Sequence, residues 1–151
     1  MLIRRLPILS LLAAGILLSP LLGQLAEAGP RTDAAFVAST NALRKAKGLP
    51  RMRVSATLSQ LAYRHSVAMA RKDRLWHNDI SGATNHWVWL AQNVGVGRSV
   101  ASLQEAFMNS PSHRANILRR QANLFGVGTY ISKGRIWVTV NFEQTTPGWP
   151  P

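Results

Sequence analysis

Two runs of alternating side chains within residues 125–142 narrow the possible folds more than any other feature of the sequence. The positions expected to face inward are Phe125, Val127, Thr129 and Ile131 in the first run, and Ile136, Val138, Val140 and Phe142 in the second. Only residues 132–134, which include a glycine, separate the runs. Alternation with a period of two around a short turn predicts a β-hairpin with one buried face.

Amphipathic helices are predicted to pack against that face. The first is predicted over residues 33–47, with Thr32 or Asp33 as its N-cap. The second begins after the N-cap Ser55 and carries a stripe that predicts core positions, with its histidine as a packing residue: Leu58, Ala62, His65 and Met69.

Two shorter helices follow a long tryptophan-rich loop at residues 75–90 and a short strand at residues 92–97. The capping box at residues 102–105 predicts the start of the third helix, with Leu103, Ala106 and Phe107 facing inward. Ser110 followed by Pro111 predicts the start of the fourth. This order of elements predicts an α+β fold, with helices packed against a small antiparallel sheet.

The chain contains no cysteine, which excludes disulfide frameworks, thiolate metal sites and cysteine nucleophiles. Its 151 residues are 46% hydrophobic and 16% charged. That composition is typical of one globular domain and excludes wholesale disorder and a multi-span membrane protein.

Residues 1–28 have the features of a secretory signal peptide. Arg4 and Arg5 precede an apolar stretch over residues 6–22, and Ala26-Glu27-Ala28 forms a small-x-small cleavage site. An uncleaved anchor is the alternative, although Pro7 and Pro20 interrupt the stretch. We therefore expect a secreted protein without a membrane span after cleavage, with one domain at residues 29–144 and a flexible proline-rich tail at residues 145–151.

Positive charge dominates the chain, with 18 basic and 6 acidic side chains and a formal charge of +12. For an exported protein this charge favours anionic lipid or polymer of the cell envelope as a partner, and not nucleic acid. Solubility and cations at helix C-termini are an alternative explanation.

Common catalytic motifs are missing from the sequence. It has no Gly-x-Ser-x-Gly elbow, no phosphate-binding loop and no His-Glu-x-x-His pair. The residues that remain for chemistry are histidines. His77 lies in the long loop, and His113 lies in the first turn of the fourth helix, where the helix dipole favours a neutral ring that can bind a metal. Spacing alone does not choose this pair over one that includes His86.

Six sequence blocks, in the same order, resemble the CAP (SCP-like) superfamily, in a form typical of secreted bacterial proteins. The resemblance spans about Phe36 to Phe142, and the most specific block contains Ser-Pro-x-His-Arg-x-Asn-Ile. The blocks are Asn41–Arg44, Gly48–Pro50, Leu75–Asn78, Gln92–Gly97, Phe107–Leu118 and Gly126–Gly128.

The resemblance implies a three-layer α-β-α sandwich and a cleft with two histidines, His77 and His113, that hold zinc or another divalent ion. Gln92 and Ser110 stand where the family has glutamates. Because an amide has no useful basicity, the substitution at Gln92 favours a protein without catalytic activity, or with little. Because the negative charges of the glutamates are lost, the resemblance implies weak metal binding. Asn93 and Asp79 are expected to line the same cleft, and Asp79 either orients His77 or caps the loop.

Three functions follow from these observations. The leading one is a secreted protein that binds a small or lipid-like ligand, or an envelope component, in the two-histidine cleft. A metal-assisted hydrolase of cell-wall or peptide substrates, with Asp79 as base, is the second. The third is a basic and aromatic surface that binds anionic lipid or polymer through Trp76, Trp87 and Trp89, although we expect at least two of these tryptophans to be buried.

Overall fold

The computed structural model describes residues 21–148, with side chains from residue 31. Most of the predicted signal peptide and the last three residues of the predicted tail lie outside the described residues. The elements are α1 (Leu21–Ala46), β1 (Arg53–Val54), α2 (Ala56–Lys72), β2 (Trp87–Gly97), α3 (Val100–Asn109), α4 (Pro111–Leu118), β3 (Leu124–Ser132) and β4 (Arg135–Thr145). None of the helices in this part of the chain has both the length and the apolar character needed to cross a membrane.

The four strands form one sheet in the order β1-β3-β4-β2. The predicted hairpin is confirmed as β3 and β4, whose turn holds Lys133 at φ 50° and Gly134 at φ 69°. Two central residues with positive φ match the twist of antiparallel strands. The sheet is not wholly antiparallel as predicted, because β1 pairs with β3 in parallel over two residues.

Helices cover both faces of the sheet, so the expected three-layer α-β-α sandwich is confirmed. Helix α2 lies so close to one face that a Cβ on Gly126 or Gly128 would overlap the helix backbone. Helices α1, α3 and α4 cover the other face. The apolar core lies there and includes Phe36, Leu103, Phe107, Ile117, Phe125, Val127, Val138, Val140 and Phe142.

Several predicted boundaries are wrong. Helix α1 begins at Leu21, so Asp33 is not its N-cap, and the Asp33 carboxylate instead accepts hydrogen bonds from the backbone and hydroxyl of Thr129. Strand β2 begins at Trp87, five residues before the predicted start. The cap of α3 is Ser99, whose hydroxyl oxygen accepts from the Ser102 N–H, so the predicted capping box does not form.

The faces of α3 and the end of the domain also differ in detail. On α3, Leu103 and Phe107 are buried as predicted, but Gln104 is buried in place of Ala106, which is exposed. Strand β4 extends to the buried Thr145, one residue into the segment predicted as a tail. By contrast, the predicted cap Ser55 and the buried stripe of α2 are confirmed.

The buried side chain of Arg44 connects α1 to the end of α4. Its side chain is fully buried, and its guanidinium donates to the carbonyls of Pro50, Ile117, Arg119 and Ala122 at 2.8–3.1 Å. Burial lowers the pKa of Arg44 below its ordinary value. Since the carbonyls at a helix C-terminus carry partial negative charge, the buried cation closes the end of α4 and fixes its position.

Candidate functional site

His77 and Gln92 form the polar centre of the candidate site. His77 is exposed on the loop before β2, and its Nδ1 lies 3.0 Å from Gln92 Oε1. The backbone N–H of Asn78 donates to the same oxygen at 3.3 Å. Because a carbonyl oxygen only accepts, Nδ1 carries the hydrogen, and the neutral ring has its lone pair on Nε2.

The amide nitrogen of Gln92 is also engaged. It donates to the side-chain oxygens of Asn78 and Asn141, both at 2.9 Å. Asn141 is fully buried on β4 and donates in turn to the carbonyl of Leu58 in α2. Gln92 therefore joins the His77 loop to the sheet and, through Asn141, to α2.

Asn93 holds the segment that carries His113, as Gln92 holds the loop that carries His77. Its side chain is fully buried, donates to the carbonyl of His113 at 3.0 Å, and accepts from the amide of Asn116 at 2.8 Å. Asn93 was expected to line the cleft, but it lies beneath it. Since successive strand residues point to opposite faces, adjacent residues of β2 hold the two histidine-bearing segments from opposite sides.

The two predicted histidines lie within electrostatic range of each other. The pKa of His113 is below its ordinary value, first because the ring is partly buried against Phe107 and second because a protonated His77 would repel a protonated His113. His65 is the third ring near His77, and burial lowers its pKa most, with a further contribution from His77. His65 is a packing residue, as predicted, and its Nε2 lies 2.7 Å from the carbonyl of Trp76.

His86, the alternative partner, precedes β2 at the other end of the loop. Its carbonyl accepts two hydrogen bonds from Thr146, one from the backbone and one from the hydroxyl. This contact joins the start of β2 to the end of β4, away from Gln92.

A groove of about 620 Å³ extends from His77 and Gln92 along the first half of β2. Residues 77–81 form its loop side and residues 87–92 its strand side. Trp87 is 40% exposed there, and its indole N–H donates to the carbonyl of Ser81 at 2.9 Å. The other two tryptophans of the loop region, Trp76 and Trp89, are partly buried and pack against the apolar clusters, so they cover the core but are not enclosed in it.

Asp79 lines the groove as expected, but it caps the loop and does not orient His77. Its carboxylate accepts from the backbone N–H of Ser81 at 2.8 Å, and this bond is the main reason that the pKa of Asp79 is lowered. The Nδ1 of His77 contacts Gln92 instead. A carboxylate with a lowered pKa is a poor general base near neutral pH.

Ser110 lies outside the groove. It ends α3 and caps α4, where Pro111 takes the first helical position as predicted, and its hydroxyl lies 3.4 Å from that of Ser112. Its role in the structure is to start the helix that carries His113.

The residues of the site do not fit a tightly held metal ion. Within the part of the chain that the structure describes, no three His, Cys, Asp or Glu side chains lie together as a metal site would need. Structural zinc sites have four protein ligands and catalytic ones have three. Two imidazoles and an amide that is already hydrogen-bonded fall short of both, so we derive no chemistry through a metal.

Sequence reasoning missed a buried polar row on β4. Thr139, Asn141, Glu143 and Thr145 alternate with the apolar core positions and resemble a solvent-facing edge, but all four are buried. Glu143 Oε1 accepts from Thr84 at 2.9 Å, and Oε2 has no partner within the described residues. Helix α2 covers the first part of this row, where Ser66 contacts Thr139 and the Leu58 carbonyl accepts from Asn141. The loop over residues 75–90 reaches the row at Glu143, through Thr84.

Comparison with known proteins identifies the family and the fold. A model of the cysteine-rich secretory protein family, CAP, matches residues 37–142. An extracellular protein of Bacillus anthracis with an SCP domain aligns with a TM-score of 0.72 and 20% identity, over 85% of this chain and 44% of that one. An outer surface protein of Borrelia burgdorferi aligns with a TM-score of 0.68 and 15% identity, over 75% of this chain and 92% of that one.

NaASP2, whose crystal structure was determined with Zn²⁺, aligns with a TM-score of 0.55 and 9% identity, over 74% of this chain and 78% of that one. At these identities the likeness concerns the fold alone. This chain spans less than half of the Bacillus protein. Among curated proteins, none matches it in sequence.

Proposed function

The chain belongs to the CAP, or cysteine-rich secretory protein, family, and we propose that it is an exported protein that binds its ligand without altering it chemically. The ligand lies in the groove beside His77 and Gln92. It is a small or lipid-like molecule, or a component of the cell envelope. The hydrogen bonds of Gln92 carry this proposal.

Both polar groups of the Gln92 side chain are held by neighbours: the oxygen by His77 and Asn78, and the nitrogen by Asn78 and Asn141. An amide cannot act as a general base. The network fixes the loop against the strand before any ligand arrives, which reduces the ordering cost of binding. These features favour holding a ligand over converting it.

The hydrolase alternative has less support. It requires Asp79 as base, and the pKa of Asp79 is lowered by its bond to Ser81. It also requires a metal, and two imidazoles alone hold a dication weakly.

Export to the cell surface is supported by the predicted signal peptide at residues 1–28 and by the excess of basic residues, which favours anionic envelope polymers. The proteins of Bacillus and Borrelia with the same fold are described as extracellular and outer surface proteins. The third alternative, a basic and aromatic binding surface, is a variant of this proposal in which Trp87 is the tryptophan best exposed for contact.

Retention of the protein on isolated envelope fragments tests this function. We expect His77→Ala and Gln92→Ala to reduce retention, while Gln121→Ala, an exposed glutamine outside the groove, retains the wild-type level. Mass spectrometry of the fragments should show no new products. Equal retention of wild type and His77→Ala, or cleavage of the fragments, would show that the proposal is wrong.

A further inference from the structure

The groove lies against the open edge of the sheet and not against one of its faces. Six consecutive residues of β2, from Trp87 to Gln92, line it. Neighbouring side chains of a strand point to opposite faces, so a cavity that all six line must lie beside the strand. Strand β2 is the last in the order β1-β3-β4-β2, so one of its backbone edges has no neighbouring strand among residues 21–148.

From this placement we infer that the groove binds an extended, acidic polypeptide segment of another protein, which pairs with β2 as a fifth strand. The inference rests on the proposed function, because the groove begins at His77 and Gln92, and it names the class of ligand.

The turn between β3 and β4 determines which residues of β2 point to this edge. With a two-residue turn at Lys133 and Gly134, Ser132 and Arg135 form a hydrogen-bonded pair. Every second residue of β4, starting from Arg135, then makes its backbone hydrogen bonds to β3. The residues that alternate with them, such as Val140 and Phe142, make theirs to β2.

The pairing of β2 with β4 then shows which residues of β2 bond to β4 through their backbone groups. Asn93 pairs with Val140 and Ala91 with Phe142, so Ala91 and Asn93 point their backbone groups to β4. Leu90, Gln92 and Val94 therefore point their N–H and C=O groups to the open edge. No hydrogen bond of the described residues joins a backbone group of residues 88–97 to a segment other than β4.

The edge lacks the features that usually block strand addition. Proteins protect such edges with charges, prolines or a covering segment. Here Trp87 is 40% exposed and Val88 is 50% exposed, and residues 87–92 contain neither a charge nor a proline. Strand β2 itself has a bulge between Trp87 and Trp89, at the far end of the groove from Gln92. The loop at residues 77–81 stands across the groove from the edge.

Charge selects an acidic partner. Of the five acidic side chains in residues 31–148, four accept hydrogen bonds inside the domain: Asp33, Asp73, Asp79 and Glu143. The basic surplus is therefore uncompensated. Arg119 does not line the groove, but its guanidinium lies 4.5 Å from the ring centre of Trp89, which does. The carboxylate that lines the groove, Asp79, already accepts a hydrogen bond from the Ser81 N–H. A second copy of the chain, with a formal charge of +12, would be repelled.

Hydrogen exchange of the full-length secreted protein, measured by NMR, tests the inference. The probe is a short synthetic peptide in which glutamate alternates with valine and tyrosine. On binding, the amides of Leu90, Gln92 and Val94 should exchange at least about tenfold more slowly, while those of Ala91 and Asn93 are already protected in the free protein. A peptide with lysine in place of glutamate, and one N-methylated at alternate residues, should not bind.

Val88→Glu should weaken binding of the glutamate peptide by about tenfold, because it places a like charge at the groove. Val54→Glu is the matched control. Val54 is 53% exposed on β1, the opposite edge of the sheet, so this change should leave binding intact.

Three results would overturn the inference: no slowing at Leu90, Gln92 and Val94, unchanged affinity after N-methylation, or binding of an oligosaccharide of N-acetylglucosamine at the groove in place of the peptide. If envelope retention still depends on His77 in that case, the proposed function survives and only the peptide strand is excluded. If retention is also independent of His77, both proposals are wrong.

Discussion

The side-chain amide of Asn93 donates a hydrogen bond of 3.0 Å to the carbonyl of His113, although Asn93 itself is fully buried and cannot touch a ligand. Asn93 also accepts from Asn116, so both of its polar groups hold α4 against β2. Its neighbour Gln92 holds the His77 loop on the opposite face. The relative position of the two histidines therefore depends on two consecutive residues of one strand.

Asn93→Ala should lower the free energy of unfolding by about 2 kcal/mol or more, because it removes two hydrogen bonds that a fully buried side chain makes to α4. Urea denaturation measures this change. Asn109→Ala, an exposed asparagine at the end of α3, should change stability by less than about 0.5 kcal/mol. Equal effects of the two substitutions would contradict the structural role given to Asn93.

Gln92→Glu should raise zinc affinity by about tenfold or more, since it adds a carboxylate beside His77. The change also removes the donor to Asn78 and Asn141, so the variant should be less stable without metal. Isothermal titration with zinc measures the affinity, and Gln121→Glu is the control. The two-histidine arrangement is wrong if adding His113→Ala to Gln92→Glu leaves the new affinity unchanged.

Stability should fall when the pH is lowered from 7 to 5. Burial is the main cause of the lowered pKa of both His65 and His113. The unfolded chain therefore binds protons more readily than the folded protein, and stability is lost as the pH falls below the ordinary histidine value of about 6.5. Urea denaturation at the two pH values tests this, and His65→Gln should show a smaller loss than wild type.

Arg44→Met should destabilise the protein by about 3 kcal/mol or more, since four carbonyls lose a charged donor. Arg44→Lys should recover only part of this loss, because an ammonium group cannot reproduce the planar fork of a guanidinium. Lys45→Met, at an exposed neighbouring position, serves as the control. Full stability of Arg44→Lys in urea would show that charge alone, and not the fork geometry, holds the end of α4.

The sequence indicated the general layout of the site but not its connections. His77 and His113 were predicted from their local settings; His77 lines the groove, whereas His113 is not among the residues that line it. Of the two roles predicted for Asp79, the structure shows the loop cap, because its carboxylate accepts from Ser81. Gln92, fifteen residues from His77, contacts the ring instead. The sequence left both roles open because side chains close together in a loop need not face each other.

Local rules account for what the sequence alone determined: the β3–β4 hairpin, the cap at Ser55, the start of α4 at Pro111 and the buried stripe of α2. Each depends on residues that lie close together in the sequence, so short-range patterns suffice to predict it. Only the tertiary structure decided that the polar row of β4 is buried, that Arg44 closes α4, and that the free edge of β2 lies beside the His77 loop. These features join residues far apart in the chain, and their stability comes from packing and hydrogen bonds that no local pattern specifies.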